Sequence, residues 1–330
     1  MKTLDHYWYS QNPVAWMLLP LSWLFCTVAA LRRYLYARGW LESFAVGKPL
    51  VIVGNISVGG TGKTPLIIAL CEYLMQQGIR PGVVSRGYGA SISGVYSVAP
   101  DDDAARCGDE PLLIRQRTGC PVVIGSDRVA AAEKLLAEHA CDAVLSDDGL
   151  QHYRMRRDIE IAVVDAARKF GNGFCLPAGP LREAESRLDS VDMIVHHGSS
   201  DDEPRFSLEF ENPVNLLSRE TRPLVSFSET PVHAVAGIGH PQRFFSQLRD
   251  HGLQVIEHAF PDHHAYSADD FLFGNGTPIL MTEKDAVKCI NLQSIQGMDA
   301  VLERCWKLPV SAQLSSQLGP DLVALIQQCQ

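Results

Sequence analysis

Short β-branched apolar runs alternate with amphipathic segments through the first two hundred residues. The apolar runs predict strands over residues 49–53, 82–85, 121–124, 142–145, 160–164 and 193–195. Between them, the spacing of apolar residues predicts helices over 65–75 and 127–139. Because strands that alternate with helices form parallel sheets covered on both faces, this pattern predicts a doubly wound, mostly parallel α/β sheet.

A second α/β pattern begins near residue 220. It predicts strands over 232–236, 254–258 and 278–281, and helices over 242–251, 267–273 and 322–328. We therefore expect three parts. They are an N-terminal apolar helix over 1–40, a P-loop-type α/β domain over 41–220, and a smaller α/β domain over 221–330 whose last helix is able to pack back on the first domain.

The N-terminal stretch 14–31 is apolar and uncharged, and Arg32, Arg33 and Arg38 follow it directly. A cleaved signal peptide is disfavoured, because its basic residues precede the apolar run. A buried core helix is one alternative. A membrane-associated helix with its basic flank on the cytoplasmic face fits the pattern better, and it either spans the bilayer or lies on its surface.

Composition narrows the class of protein. An apolar content of 46% with 20% charged residues is typical of a folded chain, and the net charge of −9 disfavours a nucleic-acid binder that relies on bulk positive charge. Nine cysteines without a C-x-x-C pair favour a reducing compartment, and they argue against a disulfide framework or a zinc site.

The glycine-rich segment that follows the first predicted strand indicates a phosphate-binding loop. Its residues are Gly59, Gly60, Thr61, Gly62, Lys63 and Thr64. Backbone N–H groups in such a loop converge on phosphate oxygens, the lysine reaches the β- and γ-phosphates, and the threonine hydroxyl holds magnesium. The strict motif has a glycine where Ser57 stands, so the glycines around Ser57 must supply the flexibility.

Two carboxylates end the predicted strand over 142–145. Asp147 and Asp148 resemble the acidic pair that reaches the magnesium ion from a neighbouring parallel strand. A solvated turn would have the same sequence, but the phosphate loop nearby favours the metal site.

Three further motifs carry candidate chemistry. Asp109, within Gly-Asp-Glu-Pro, is a candidate to orient and deprotonate an acceptor hydroxyl, and so is one of the adjacent His263 and His264. The tract Thr-Glu-Lys-Asp over 282–285 has the wrong spacing for a guanine-reading motif. The basic tract 154–157 fits a phosphate contact and a solvated surface equally well.

Taken together, these motifs resemble the tetraacyldisaccharide 4′-kinase family, the lipid A 4′-kinases of Gram-negative bacteria. The resemblance covers nearly the whole chain and is carried by GNISVGGTGKTP, SRGYG, GDEP, IGSDR, SDDGLQH, LPAGPLRE, GIGHP, FPDHH and TEKDAVK, in that order. The family also has Ser or Thr at the place of Ser57. Ala184 stands where the family often has proline, a difference without evident catalytic meaning.

The resemblance implies an ATP- and Mg²⁺-dependent kinase of lipid A biosynthesis. Such an enzyme transfers the γ-phosphate to the 4′-hydroxyl of a tetraacylated glucosamine disaccharide 1-phosphate and forms lipid IVA. The implied partners are this lipid substrate and inner-membrane lipid on the cytoplasmic face, without nucleic acid or an obligate protein partner.

The resemblance also implies roles for individual residues. Lys63 and Thr64 would hold phosphate and magnesium, Asp147 and Asp148 would complete the metal site, and Glu110 would lie beside it. Asp109 would be the base, assisted by His263. The remaining implied catalytic, phosphate or acceptor contacts are Arg182, Arg128, Gln151, His152, Glu183 and Tyr88.

Three rival functions compete with this interpretation. A P-loop GTPase or metallochaperone predicts a guanine motif or a Cys/His cluster, and the sequence suggests neither. A membrane-tethered nucleotide-binding scaffold leaves Asp109 and the histidine pair without a role, and a soluble sugar kinase does not explain stretch 14–31. For the kinase, we expect the two domains to close over the substrates and exclude water.

Overall fold

The structure is a computed structural model that describes residues 5–10, 12–198, 204–273, 276–289, 292, 295 and 298–329. The chain divides into two compact units. The first unit comprises Met1–Arg86, Cys120–Ser207 and Ala312–Gln330, and the second comprises Gly87–Gly119 and Leu208–Ser311.

The strands of the described chain are, in order, β1 (Leu50–Gly54), β2 (Pro81–Ser85), β3 (Tyr96–Ser97), β4 (Val122–Ile124), β5 (Ala143–Asp147), β6 (Ile159–Asp165), β7 (Met193–His197), β8 (Arg205–Phe210), β9 (Val214–Asn215), β10 (Val232–Ala236), β11 (Val255–Ala259), β12 (Ile279–Thr282), β13 (Cys305–Leu308) and β14 (Val310–Leu314).

The α-helices are α1 (Asp5–Trp8), α2 (Pro13–Ala37), α3 (Lys63–Gln76), α4 (Ala104–Cys107), α5 (Asp109–Thr118), α6 (Arg128–Glu138), α7 (Pro241–Asp250), α8 (Glu283–Cys289), α9 (Asp299–Leu302) and α10 (Leu318–Gln328). Short 3₁₀ helices cover Glu185–Ser190, Leu224–Phe227 and Ala268–Phe271.

A mostly parallel sheet forms the centre of the first unit. Seven of its strands follow the order β8-β7-β6-β1-β5-β2-β4, and β1 pairs in parallel with both β5 and β6. Every residue of β1 and β5 is buried, as expected for strands covered on both faces. Val53 lies opposite Asp147 in register, so the loop after β1 and the end of β5 share one edge of the sheet.

Helix α3 begins at Lys63, two residues before the predicted start, and therefore includes both Lys63 and Thr64. Its buried side chains pack on the sheet of the first unit. The C-terminal helix α10 also belongs to the first unit and packs on α3. Gly319 permits this close approach, because a Cβ at that position would lie 2.5 Å from the ring of Tyr73.

The second unit contains a smaller sheet in the order β11-β10-β12-β13-β9. Strands β10, β11, β12 and β13 are parallel, and β9 is antiparallel to β13. Because β10, β11 and β12 point the same way, the turns that follow them lie at one edge of this sheet. Those turns begin the GIGHP, FPDHH and TEKD motifs.

Helix α5 was missed by the sequence-based prediction, and it accounts for a difference in domain organisation. It packs on α8 in the second unit. Arg117 of α5 forms ion pairs with Glu211 at 2.7 Å and with Glu283 at 2.8 Å. These contacts place segment 87–119 with residues 208–311, whereas we expected it in a domain over 41–220.

Among the residues that the structure describes, helix α2 is the one helix with the length and composition needed to cross a membrane. Its buried residues are Ala15 and Ser22, and 17% of its most apolar stretch is buried. Met17 and Trp23 are exposed by 81% and 65%. The structure therefore disagrees with the buried-core alternative for this helix.

Candidate active site

The phosphate loop of the first unit connects β1 to α3. Gly62 has a φ of +82°, and a Cβ at this position would lie 2.9 Å from Nδ1 of His197, so only glycine fits. Gly59 also has a positive φ, but Ser57 does not. Ser57 instead forms a backbone bridge with Leu181, so the conformation of this position does not require a glycine.

Lys63 is held from two sides. Its Nζ donates a hydrogen bond to Oδ1 of Asn55 at 3.1 Å and lies 3.5 Å from Oδ1 of Asp148. Asn55 is fully buried directly after β1, and the sequence analysis assigned it no role. Asn55 thus holds Lys63 from the end of β1.

The carboxylate of Asp148, directly after β5, contacts positively charged side chains. It accepts two hydrogen bonds from Nη1 of Arg182, at 2.9 and 3.1 Å, in addition to the contact with Lys63. Burial alone would raise the pKa of Asp148, but Lys63 and Arg182 hold this pKa well below its usual range. Asp148 is therefore ionised at neutral pH.

Arg182 reaches this position because its segment is bound to the phosphate loop. The backbone N–H of Val58 donates to the carbonyl of Pro180 at 2.8 Å, and the N–H of Arg182 donates to the carbonyl of Ile56 at 2.6 Å. The structure thus brings together Lys63, Asp148 and Arg182, three residues that the sequence analysis assigned to one site.

Arg128 is 4% exposed and faces inward. Its Nη1 donates to the carbonyl oxygen of Asp148 at 2.9 Å and lies 3.4 Å from Oγ of Ser146. Burial lowers the pKa of Arg128, and the charges of Asp148 and Asp147 partly offset this effect. Its contacts fix the turn that carries Asp148.

A hydrogen-bonded network lies behind Arg182. Oε1 of Gln151 lies 3.4 Å from Nη1 of Arg182, and Nε2 of Gln151 donates to Glu183 at 3.0 Å. Glu183, 4% exposed, also accepts a hydrogen bond from the hydroxyl of Tyr153.

The network continues through Arg187, which is 2% exposed and donates hydrogen bonds to Tyr153 and to Glu160. Gln151 and Glu183 thus have partners inside the protein.

His152 differs from these neighbours. Burial, together with the positive charges of Arg128, Arg157 and Arg32, lowers its pKa to about 4, so the imidazole is neutral at pH 7. Its Nε2 is buried and has no hydrogen-bond partner among the side chains and backbone that the structure describes.

In the second unit, Asp109 and His263 form a hydrogen-bonded pair. Nδ1 of His263 lies 3.1 and 3.0 Å from the two carboxylate oxygens of Asp109. Asp109 is 4% exposed at the start of α5, where it also accepts a hydrogen bond from the N–H of Glu110 at 2.9 Å. These two residues were expected from the resemblance to act together, and they are 154 positions apart in the chain.

The pKa values of the pair shift in opposite directions. The hydrogen bond to Asp109 raises the pKa of His263. Burial alone would raise the pKa of Asp109, but His263 and the charge of Lys284 hold it below its ordinary value. Asp109 is therefore a buried, ionised partner, and His263 is the more basic member of the pair.

The structure separates the two adjacent histidines. Nε2 of His264 lies 3.2 Å from Asp270, and its ring stacks on Phe260 at 4.7 Å between centroids. His263, in contrast, contacts Asp109, and its ring centroid lies 5.0 Å from that of Tyr88. His263 is thus the member that belongs to the candidate site.

Glu110 lies in the second unit and accepts a hydrogen bond from Nζ of Lys284 at 2.9 Å. Its predicted place beside the metal stays a prediction. No role for Lys284 was expected from the sequence, in which its tract TEKDAVK contributes to the family resemblance but has the wrong spacing for guanine recognition. The lysine lies next to Asp285, which is fully buried.

Comparisons with known proteins agree along the whole chain. The model of the family described as tetraacyldisaccharide-1-P 4′-kinase matches residues 14–327. A tetraacyldisaccharide 4′-kinase of Nitrosococcus oceani is 45% identical over 324 residues, 98% of this chain and 94% of that protein. One of Stenotrophomonas maltophilia is 50% identical over 295 residues, 86% of this chain and 87% of that protein.

The chain belongs to the tetraacyldisaccharide-1-P 4′-kinase family. It is therefore a kinase of lipid A biosynthesis, and the predicted family, enzyme class and α/β fold are confirmed. A crystal structure of LpxK from Aquifex aeolicus in complex with ATP is also similar, with a TM-score of 0.78 and 29% identity. The match covers 96% of this chain and 99% of that one.

The buried hydrogen-bonded network around Arg187 leads to a prediction about stability. Arg187→Met removes the cation that pairs with Glu183 and leaves Glu160 paired with Arg157. We expect it to lower the free energy of unfolding by about 3 kcal/mol, the lower end of the range for breaking buried ion pairs, because Arg157 still compensates Glu160. Thermal and denaturant unfolding of the purified protein measure the change.

The matched control is Lys134→Met, which removes an exposed i,i+4 ion pair with Glu138 on α6. Such a surface pair contributes about 0.3–0.5 kcal/mol, so the control is expected to unfold close to wild type. Equal unfolding transitions for both variants would contradict a stabilising role for the Arg187 network.

Proposed function

We propose that this chain transfers the γ-phosphate of ATP to the 4′-hydroxyl of a tetraacylated glucosamine disaccharide 1-phosphate, which yields lipid IVA. The observation that carries the proposal is the Asp109–His263 pair. A nucleotide-binding scaffold has no need of a buried carboxylate that orients a histidine, whereas a kinase needs a base for its acceptor hydroxyl. Family membership supports the same substrate.

On the donor side, the phosphate loop and Lys63 bind the ATP phosphates. Phosphoryl transfer depends mainly on positioning and on neutralising charge at the equatorial oxygens. Lys63 and Arg182 already converge on Asp148, so both cations are held near the loop before ATP binds. Arg182 then adds positive charge to the transferred group, while Arg128, Gln151 and Glu183 keep the surrounding turns in place.

The donor atoms around the loop fit magnesium. Thr64, Asp147 and Asp148 offer hydroxyl and carboxylate oxygens, which are the ligands that this hard cation prefers. Among the residues described, no cluster of three or more His, Cys, Asp or Glu side chains is grouped to hold a metal. When bound, magnesium would supply positive charge that neutralises the phosphate oxygens.

On the acceptor side, we assign proton removal to the Asp109–His263 pair, with Nε2 of His263 as the accepting atom. Both oxygens of Asp109 face Nδ1 of His263, and this carboxylate is buried, ionised and weakly basic. Its hydrogen bond keeps the Nδ1 proton in place and leaves Nε2 to accept the hydroxyl proton. This assignment refines the prediction that Asp109 is itself the base. The expected closure of the domains stays a prediction.

The reaction is tested with purified protein, Mg·ATP and the disaccharide 1-phosphate lipid in mixed micelles. We expect a bisphosphorylated lipid product and little turnover with GTP. Turnover of GTP without a phosphorylated lipid would contradict the proposal and favour a GTPase. Nucleotide binding without any turnover would favour a scaffold.

The roles within the pair are tested by substitution. We expect His263→Ala and Asp109→Asn each to lower kcat by about 10²–10⁴-fold, because the first removes the proton acceptor and the second removes the carboxylate that orients it. KM for ATP is expected to stay near wild type. His264→Ala is the matched control and should retain kcat, since His264 pairs with Asp270.

The outcome also distinguishes the two possible acceptors. If Asp109→Asn abolished turnover and His263→Ala left it at the wild-type level, Asp109 would be the base and His263 an accessory.

We further propose that α2 lies on the cytoplasmic surface of the inner membrane instead of spanning it. One stripe of the helix is bound to the first unit: Ser22 donates to the carbonyl of Cys175 at 2.7 Å, and Tyr36 packs on Tyr153. These contacts are fourteen positions apart, about 20 Å along an α-helix, so the helix follows its own unit over most of its length. The opposite, apolar stripe is exposed.

A double substitution on the exposed stripe tests this arrangement. Trp23→Glu with Leu24→Glu is expected to lower the fraction that cosediments with anionic phospholipid vesicles, because it places two charges in the apolar stripe. Activity toward substrate in detergent should be retained. Gln76→Glu with Gln77→Glu adds the same charges to an exposed part of the first unit, and should bind vesicles like wild type. Equal binding by both double variants would contradict the proposal.

A further inference from the structure

Lys284 connects the two segments that carry the Asp109–His263 pair. It lies near the start of α8, and its side chain is 16% exposed. Its Nζ lies 2.9 Å from Glu110, 3.1 Å from Asp262 and 4.0 Å from Oδ2 of Asp109. Asp109 and Glu110 begin α5, whereas Asp262 precedes His263 in the turn after β11.

The contact with Asp262 extends to the backbone of His263. Oδ1 of Asp262 accepts hydrogen bonds both from Nζ of Lys284, at 3.1 Å, and from the N–H of His263, also at 3.1 Å. His263 has a φ of +59°, a left-handed conformation that residues other than glycine adopt at a cost in free energy. Lys284 therefore helps to hold a strained backbone whose side chain belongs to the site.

The positive charge of Lys284 has a second effect. Asp109, Glu110 and Asp262 place three carboxylates around one ammonium group. Without the positive charge, repulsion among these carboxylates would drive the His263 turn away from the start of α5. The three protons of a lysine ammonium suit this arrangement, because they can be shared among acceptors from different elements.

We propose that Lys284 is a positioning residue for proton transfer: it holds Asp109 and His263 in their hydrogen-bonded geometry without itself contacting ATP or the acceptor. The inference rests on the proposed function, since it assigns Lys284 a task within that reaction. It also gives a role to the TEKD tract, whose spacing excludes guanine recognition.

Lys284→Met tests the inference, because it removes the charge and keeps a side chain of similar length. We expect kcat for lipid phosphorylation to fall about 10–100-fold, part of the contribution of a positioned base. KM for ATP and for the lipid should stay within about twofold of wild type. Lys284→Arg retains the charge with a different shape, and should recover part of the lost kcat.

Lys307→Met is the matched control. It also removes a lysine–carboxylate pair in the second unit, since Nζ of Lys307 lies 3.3 Å from Glu283. Glu283 keeps its ion pair with Arg117 at 2.8 Å, so no carboxylate loses its last cation. We expect wild-type kcat from this control, and thermal unfolding of every variant is measured in the same buffer.

A double-mutant cycle separates positioning from a general effect on the fold. Lys284→Met introduced into His263→Ala should cause no further loss of kcat, because the residue to be positioned is already absent. An additive loss would overturn the inference and indicate a structural role. A raised KM for ATP or lipid with unchanged kcat would also overturn it, since Lys284 would then bind substrate.

The wild-type protein in the same assay distinguishes a failure of the proposed function from a failure of the inference about Lys284. If it forms no phosphorylated lipid, the proposed function fails. If it is active and Lys284→Met matches its kcat, the function stands and the inference about Lys284 is wrong.

Discussion

The neutralisation of Asp148 is the interaction on which the first unit depends. This residue has a left-handed φ of 48° directly after β5, and its carboxylate accepts contacts from Lys63 and Arg182. Those cations come from two segments that are distant in sequence, the phosphate loop and the segment over 179–183. Without the carboxylate they would repel each other, so one half-buried charge joins three segments before any nucleotide binds.

In the second unit, a carboxylate is likewise neutralised by side chains from other segments. Asp109 is buried, and its charge is compensated by His263 and Lys284 rather than by solvent. Because a side chain held by packing and charge needs little rearrangement during the reaction, such sites are organised before the substrate arrives. In each unit, the residues proposed to carry the chemistry are bound to residues that hold them in place.

Much of the fold follows from local pattern. Buried parallel strands such as β1 and β5 are recognisable because continuous apolar runs suit a sheet covered on both faces. Helix α5 was missed, although Asp109 and Glu110 in its first turn, Arg115 and Arg117 in its last turn, and Gly119 after it are all helix signals.

The sequence by itself determined the phosphate loop, the acidic pair after β5 and the family, because these depend on residue types at short, fixed spacings. Only the tertiary structure decided that segment 87–119 joins the second unit, that Asn55 contacts Lys63, and that Lys284 contacts Glu110 and Asp262. It also places His263, which the resemblance favoured over His264, against Asp109. The physical reason is that such contacts depend on where strands and helices pack, and a positioning residue has no spacing of its own to reveal it.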